Sequence, residues 1–292
     1  MFEYMNKIYK QIYKTTYGSV KINNVVFNPK IIEDELPELV LRDENLKHMF
    51  AELELSESKK INIYNRFIPK EKIRGSVKEY IDDSLKHNRT FYSFLAEGIL
   101  GLVYRDLYSF DLAKGIIDMN ETLTDSHNGV DACMYNIEKK CIVLGEAKFY
   151  QNLDSGVNAI VSDFMNKNIK NKIESLHIGT VNNELSRTIV IRNLQNGEYY
   201  NITVDEFLNQ KIIFAGFVLH SEQNIKKYMN TDYYEKFSLS VEKLESNIKK
   251  SLCLDKIEGE YEIILVHLPI NSKKELIMKM IEAATQKKLE IL

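Results

Sequence analysis

At 292 residues, with 44% hydrophobic and 28% charged side chains, the chain can bury a substantial core and does not have the composition of a disordered segment. Its 39 basic and 42 acidic side chains leave a formal charge of −3. That balance argues against unaided gripping of nucleic acid, where affinity comes mainly from phosphate neutralisation. The N-terminal MFEYMNKIYKQIYK has no uninterrupted apolar region, and no stretch approaches the ~18 apolar residues of a membrane span, so a cytoplasmic chain without membrane contact is expected.

In chain order, VKINNVVF (20–27) and ELVLRD (38–43) read as short strands or edge segments, and SVKEYIDDSLKH (76–87) reads as a helix. FYSFLAEGILGLVY (91–104) is apolar around nearly the whole helical circumference, with Glu97 its only charged residue, so that carboxylate needs a partner. GVDACMY (129–135) and CIVLGEAKFY (141–150) read as neighbouring antiparallel strands. Asp154 or Ser155 then caps a helix with an apolar stripe of Val157, Ile160, Val161, Phe164 and Ile169, leaving Asn158, Ser162 and Asn166 toward solvent or substrate. Residues 172–210 are polar and irregular and read as an insertion. KIIFAGFVLH (211–220) and YEIILVHLP (261–269) are apolar enough for central strands, separated by an amphipathic helix over 235–250 and followed by a helix from about 272. Strands alternating with helices imply an α/β fold with a mixed sheet covered on both faces. The expected organisation is an N-terminal elaboration, 1–88, packed on a core, 89–292.

The chemistry concentrates on Asp131, Glu146 and Lys148. If the turn is Glu138-Lys139, or the four residues 137–140, paired positions sum to 277 and Asp131 lies opposite Glu146, with Cβ atoms roughly 5 Å apart. Lys148 then projects from the same face, with Cys133, Tyr135, Ile142 and Leu144, while Cys141, Val143, Gly145 and Ala147 face the other way. Two carboxylates brought together in an apolar strand pair need a compensating cation or proton. Mg²⁺, with Mn²⁺ as a substitute, suits hard oxygen donors, binds through one or two carboxylates, keeps several waters and couples to phosphates. Lys148 beside such a water could orient it, help deprotonate it, or stabilise charge on the phosphorane. Next to this pair, Glu97 reads as a third metal or metal-water ligand. A buried ion-pair cluster without catalysis would use the same residues.

The pattern Glu-x-Lys occurs at Glu57/Lys59, Glu138/Lys140 and Glu146/Lys148. Only the third sits in an apolar strand, after an acid-bearing strand and before an amphipathic helix. An acid-bearing helix, a strand with Asp, a strand with Glu-x-Lys, a helix and a further strand resembles the layout of the PD-(D/E)XK nuclease superfamily, with Val130 where the signature's name has proline. More narrowly, FLAEGILGLVYRD, SHNGVDACMY and VLGEAKFY, together with the chain length, resemble the nuclease subunit of the Hachiman anti-phage defence system. The superfamily resemblance implies a restriction-endonuclease-like core and metal-dependent hydrolysis of DNA phosphodiesters. The narrower one implies a helicase partner that holds the subunit inactive until needed. A restriction endonuclease acting alone, or a silent assembly or DNA-binding subunit, are the alternatives.

Basic clusters at Lys70, Lys72 and Arg74, at Lys86, His87 and Arg89, and at Lys167, Lys170 and Lys172 could line a DNA cleft, although each alone is commonly a solvated surface. No G-x-x-x-x-G-K-S/T loop is present, so the chain is expected to bind no nucleotide cofactor and to leave ATP hydrolysis to a partner. Cys133, Cys141 and Cys253 lack C-x-x-C spacing and the six histidines lack H-x-x-x-H spacing, which argues against zinc. His127 is the histidine nearest Asp131 in sequence.

Overall fold

A computed structural model describes residues 7–14, 18–26, 29–50, 54–68, 76–86, 93–108, 111–112, 131–136, 139–165, 180–181, 184–185, 188–192, 199–203, 210–221 and 261–292. Its centre is a seven-stranded sheet in the order β1-β2-β11-β10-β5-β4-β3. The strands are β1 (Lys7–Lys14), β2 (Gly18–Val26), β3 (Asp111–Leu112), β4 (Ala132–Asn136), β5 (Cys141–Tyr150), β10 (Lys211–His220) and β11 (Tyr261–Pro269). β2, β11, β10 and β5 run parallel to their neighbours, while β1, β4 and β3 add antiparallel edges. The sheet is thus mixed, as expected, and β10 and β11 have the bounds read from the sequence.

Helices cover both faces. Leu100 of α5 (Ser93–Tyr108) lies 3.0 Å from where a Cβ on Gly145 would stand, so α5 sits on the face that carries Val143, Gly145 and Ala147. The core on this side joins α5 to α1 (Pro29–Val40), α2 (Asp43–Met49), α3 (Glu57–Phe67) and the C-terminal α7 (Lys273–Ile291). The opposite face belongs to α6 (Leu153–Met165): a Cβ on Gly156 would meet Val218 Cγ1 at 2.5 Å, and one on Gly216 would meet Ile160 Cγ2 at 3.2 Å. Tyr104, fully buried on α5, donates its hydroxyl to the Ile264 carbonyl at 2.8 Å and lies 3.2 Å from the Gly216 carbonyl, which ties the helix to two central strands. No helix among the described residues is long and apolar enough to cross a membrane.

Several expectations needed correction. ELVLRD is no strand: Leu36, Leu39 and Val40 are buried at helical spacing on α1, which ends at Val40, and a two-residue turn leads to α2 at Asp43. Lys7–Lys14 forms an edge strand paired with β2, unforeseen because Ile8, Tyr9, Ile12 and Tyr13 recur at i, i+4 and do not alternate. Glu57 and Lys59 stand in the first turn of α3, with Ser56 accepting from the Lys59 amide at 3.3 Å as an N-cap. The 172–210 segment is not irregular throughout: β6 (Thr180–Val181) pairs with β7 (Glu184–Leu185), and β8 (Thr188–Arg192) pairs with β9 (Tyr199–Thr203). The helix expected over 76–87 is present as α4 (Val77–Lys86), started by a reciprocal capping box between Ser76 and Glu79. The helix expected over 235–250 lies outside the described residues.

Candidate functional site

The hairpin β4–β5 sets the site. Its connection is the four residues between Asn136 and Cys141, with the Lys139 amide donating to Asn136 Oδ1 at 2.8 Å and Lys140 at φ 46°. Every observed pair, from Asn136↔Cys141 to Ala132↔Gly145, sums to 277, the register expected from the sequence. The ladder stops one pair short of Asp131 and Glu146. Asp131 instead bends away and accepts the Ala147 amide on its Oδ2 at 2.8 Å, so its side chain does what a strand carbonyl would have done. That hydrogen bond favours the ionised carboxylate and pins it to the strand carrying Glu146 and Lys148.

Glu146 is 2% exposed, and Lys148 Nζ lies 3.7 Å from its Oε2. A closer partner comes from α6: Asp163 Oδ2 lies 2.6 Å from Lys148 Nζ. Burial pulls the Lys148 pKa down, but the charges of Asp131 and Asp163, the Asp163 hydrogen bond and Tyr150 outweigh it and hold the ammonium above its ordinary value. Such a lysine is charged at neutral pH. It serves as a donor and counter-charge, not as a proton acceptor.

The sequence-predicted residues divide accordingly. Asp131, Glu146 and Lys148 come together. Glu97 lies on α5, whose buried face packs on the side of the sheet opposite to Glu146 and Lys148, and it is half-buried where full burial was expected. Glu97 precedes Leu100 and Tyr104 by about one and two turns, on the helix face that meets the sheet, nearer the start of α5. Among the described residues no group of three or more Asp, Glu, His or Cys side chains is set to hold a metal ion. The donors from the hairpin are therefore the two carboxylates of Asp131 and Glu146. Paired hard oxygens beside an ordered ammonium suit Mg²⁺, which binds through one or two carboxylates and retains water. His127 and most of the basic clusters lie outside the described residues, as do the side chains of Lys86 and Cys133; Cys141 is a buried free thiol.

Of the two other Glu-x-Lys pairs, Glu57/Lys59 opens α3, and Lys140 of the second is an exposed turn residue. Sequence reading missed Asp163, although Gly156, Ile160 and Asp163 follow the i, i+4, i+7 spacing of one helix face. It also missed two buried histidines at the ends of β10 and β11, His220 and His267, whose Nε2 and Nδ1 stand 3.1 Å apart.

No curated protein matches the chain. Residues 30–284 match the family model described as HamA, and the match spans α1, the whole β4–β5 hairpin, α6, β10, β11 and most of α7. The chain belongs to the HamA family, components of the Hachiman anti-phage defence system.

Proposed function

We propose that this chain is the nuclease component of its defence system, a Mg²⁺-dependent deoxyribonuclease with a PD-(D/E)XK-type, restriction-endonuclease-like core, controlled by a helicase partner. The observation that supports this reading is the β4–β5 hairpin, where Asp131 accepts the amide of Ala147, between Glu146 and Lys148, and Lys148 Nζ lies 3.7 Å from Glu146 Oε2. Asp131 and Glu146 would hold the metal, with the backbone hydrogen bond fixing the Asp131 carboxylate. A bound divalent cation supplies an activated water and counter-charge at a scissile phosphate. Lys148, held as an ammonium, stabilises negative charge as it builds on the phosphoryl oxygens and orients the attacking water. Glu97, the third ligand expected from the sequence, lies half-buried on α5.

A catalytically silent assembly subunit is the competing reading. One observation favours it: Lys148 pairs with Asp163 at 2.6 Å and lies 3.7 Å from Glu146, as in a structural ion-pair cluster. Co-expression with the neighbouring reading frame distinguishes the two. The nuclease reading expects a helicase to copurify and plasmid DNA to be degraded without a fixed pattern when Mg²⁺ is present. A copurifying complex that leaves DNA intact, with every DNA structure offered, supports the assembly reading.

A further inference from the structure

We propose that Asp163, on the helix that follows the Glu-x-Lys strand, is the positioning residue of the site, holding the Lys148 ammonium in place beside Glu146. The proposal deepens the nuclease reading and rests on it for its catalytic consequence. Three observations carry it. First, the contacts of Lys148 are unequal: at 2.6 Å its Nζ makes a charge-assisted hydrogen bond with Asp163, whereas at 3.7 Å it is only a charge neighbour of Glu146.

Second, α6 is a rigid platform for this contact. Gly156 lets the helix backbone approach Val218 so closely that a Cβ would sit 2.5 Å from Cγ1, and Ile160 lies over Gly216 on the same strand. Val218 is the registered neighbour of Lys148 and Gly216 that of Glu146. Asp163 continues the Gly156–Ile160 face by one turn, so the surfaces that seat the helix on β10 also set where its carboxylate meets β5. Third, Asp163 is 37% exposed and Lys148 21%, while Glu146 is sealed at 2%, so the tether sits on the solvent side of the site, where a substrate would enter. Lysine carries a compact charge on a flexible four-carbon stem, and an untethered ammonium would spend little time at the one position where charge develops. Asp163 acts through Lys148 and is not assigned contact with the reacting atoms.

The test uses the full chain with Asp163→Asn, which removes the charge at constant shape, and Asp163→Glu, which restores it. The ¹H–¹⁵N resonance of the Lys148 ammonium, assigned by its loss in Lys148→Met, is expected to broaden or shift in Asp163→Asn and to return toward the wild-type position in Asp163→Glu. In DNA cleavage with Mg²⁺, kcat is expected to fall by about ten- to a hundredfold in Asp163→Asn. KM should stay within about twofold, with much of the loss recovered in Asp163→Glu. An unchanged kcat in Asp163→Asn overturns the proposal whatever the resonance does, and so does a loss in KM alone. If the wild type cleaves no DNA, the nuclease reading fails separately, and an unmoved ammonium resonance then refutes the tether itself.

Discussion

Replacing Lys148 with Met should destabilise the protein as well as silence it. Methionine keeps an unbranched apolar stem of similar reach and deletes only the charge. Two partners are left behind, and they differ. Glu146, 2% exposed, is a buried carboxylate losing a cation 3.7 Å away; Asp163, 37% exposed, can turn to water. Breaking a fully buried pair costs about 3–5 kcal/mol, whereas an exposed pair contributes about 0–1 kcal/mol. Lys148 is itself 21% exposed, so the expected loss falls between these limits, about 1–3 kcal/mol. Because its folded pKa is raised above 10.5, Lys148 contributes stability that is fully present below that value and is lost only as pH climbs through the folded pKa. The difference between wild type and variant should therefore be flat from pH 6 to about pH 9. Urea denaturation followed by circular dichroism measures it. A variant as stable as wild type would refute the reasoning, since the buried acid would then be shown to need no cation from this lysine.

Lys273 should give the opposite signature: burial holds its pKa down to about 8 from 10.5 while its ammonium donates to the Phe149 carbonyl at 2.7 Å. Between those values the unfolded chain keeps a proton that the folded chain has shed, so this residue makes stability rise with pH, by roughly 1.4 kcal/mol per unit. Lys273→Met should remove that rise, and parallel denaturation curves for the two proteins over pH 7–10 would contradict it. Tyr104→Phe, which withdraws the donor to the Ile264 and Gly216 carbonyls, should cost about 1–2 kcal/mol in urea midpoints at unchanged m-value. Gly216→Ala should cost about 1–3 kcal/mol, because its Cβ would stand 2.4 Å from Leu265 Cδ2 and 3.2 Å from Ile160 Cγ2, and should also lower activity by displacing α6. A fully active, fully stable Gly216→Ala would show that Leu265 yields freely.

The parts of the fold legible in sequence were those with a single strong period. β10 and β11 are buried on both faces, so their long apolar runs had no competing interpretation. The hairpin register followed from parity alone: the four-residue connection 137–140 gives pairs that sum to 277, and the ladder keeps them as far as Ala132↔Gly145. Failures came where tertiary packing decided. ELVLRD joins the end of one helix to the start of another, and its apolar residues serve a helical stripe that begins upstream, at Leu36. Glu97 looked sealed because its own helix is apolar, yet it is half-buried near the start of that helix. Asp163 stands beside a stronger apolar stripe, and its one sequence signal is its helical spacing from Gly156 and Ile160. The partner of a charged strand residue is easily hidden when it lies on the next element and not on the same strand.

The central claim is that Asp131, Glu146 and Lys148 form a metal-dependent hydrolytic site. Plasmid degradation by the wild type, Glu146→Gln and Lys148→Ala, each with its co-encoded partner, in Mg²⁺ and in EDTA, tests it most directly. DNA loss is expected from the wild type in Mg²⁺, and none in EDTA or with either variant. Degradation that persists in folded Glu146→Gln or in EDTA, or a wild type that leaves every DNA intact in Mg²⁺ beside its partner, would contradict it.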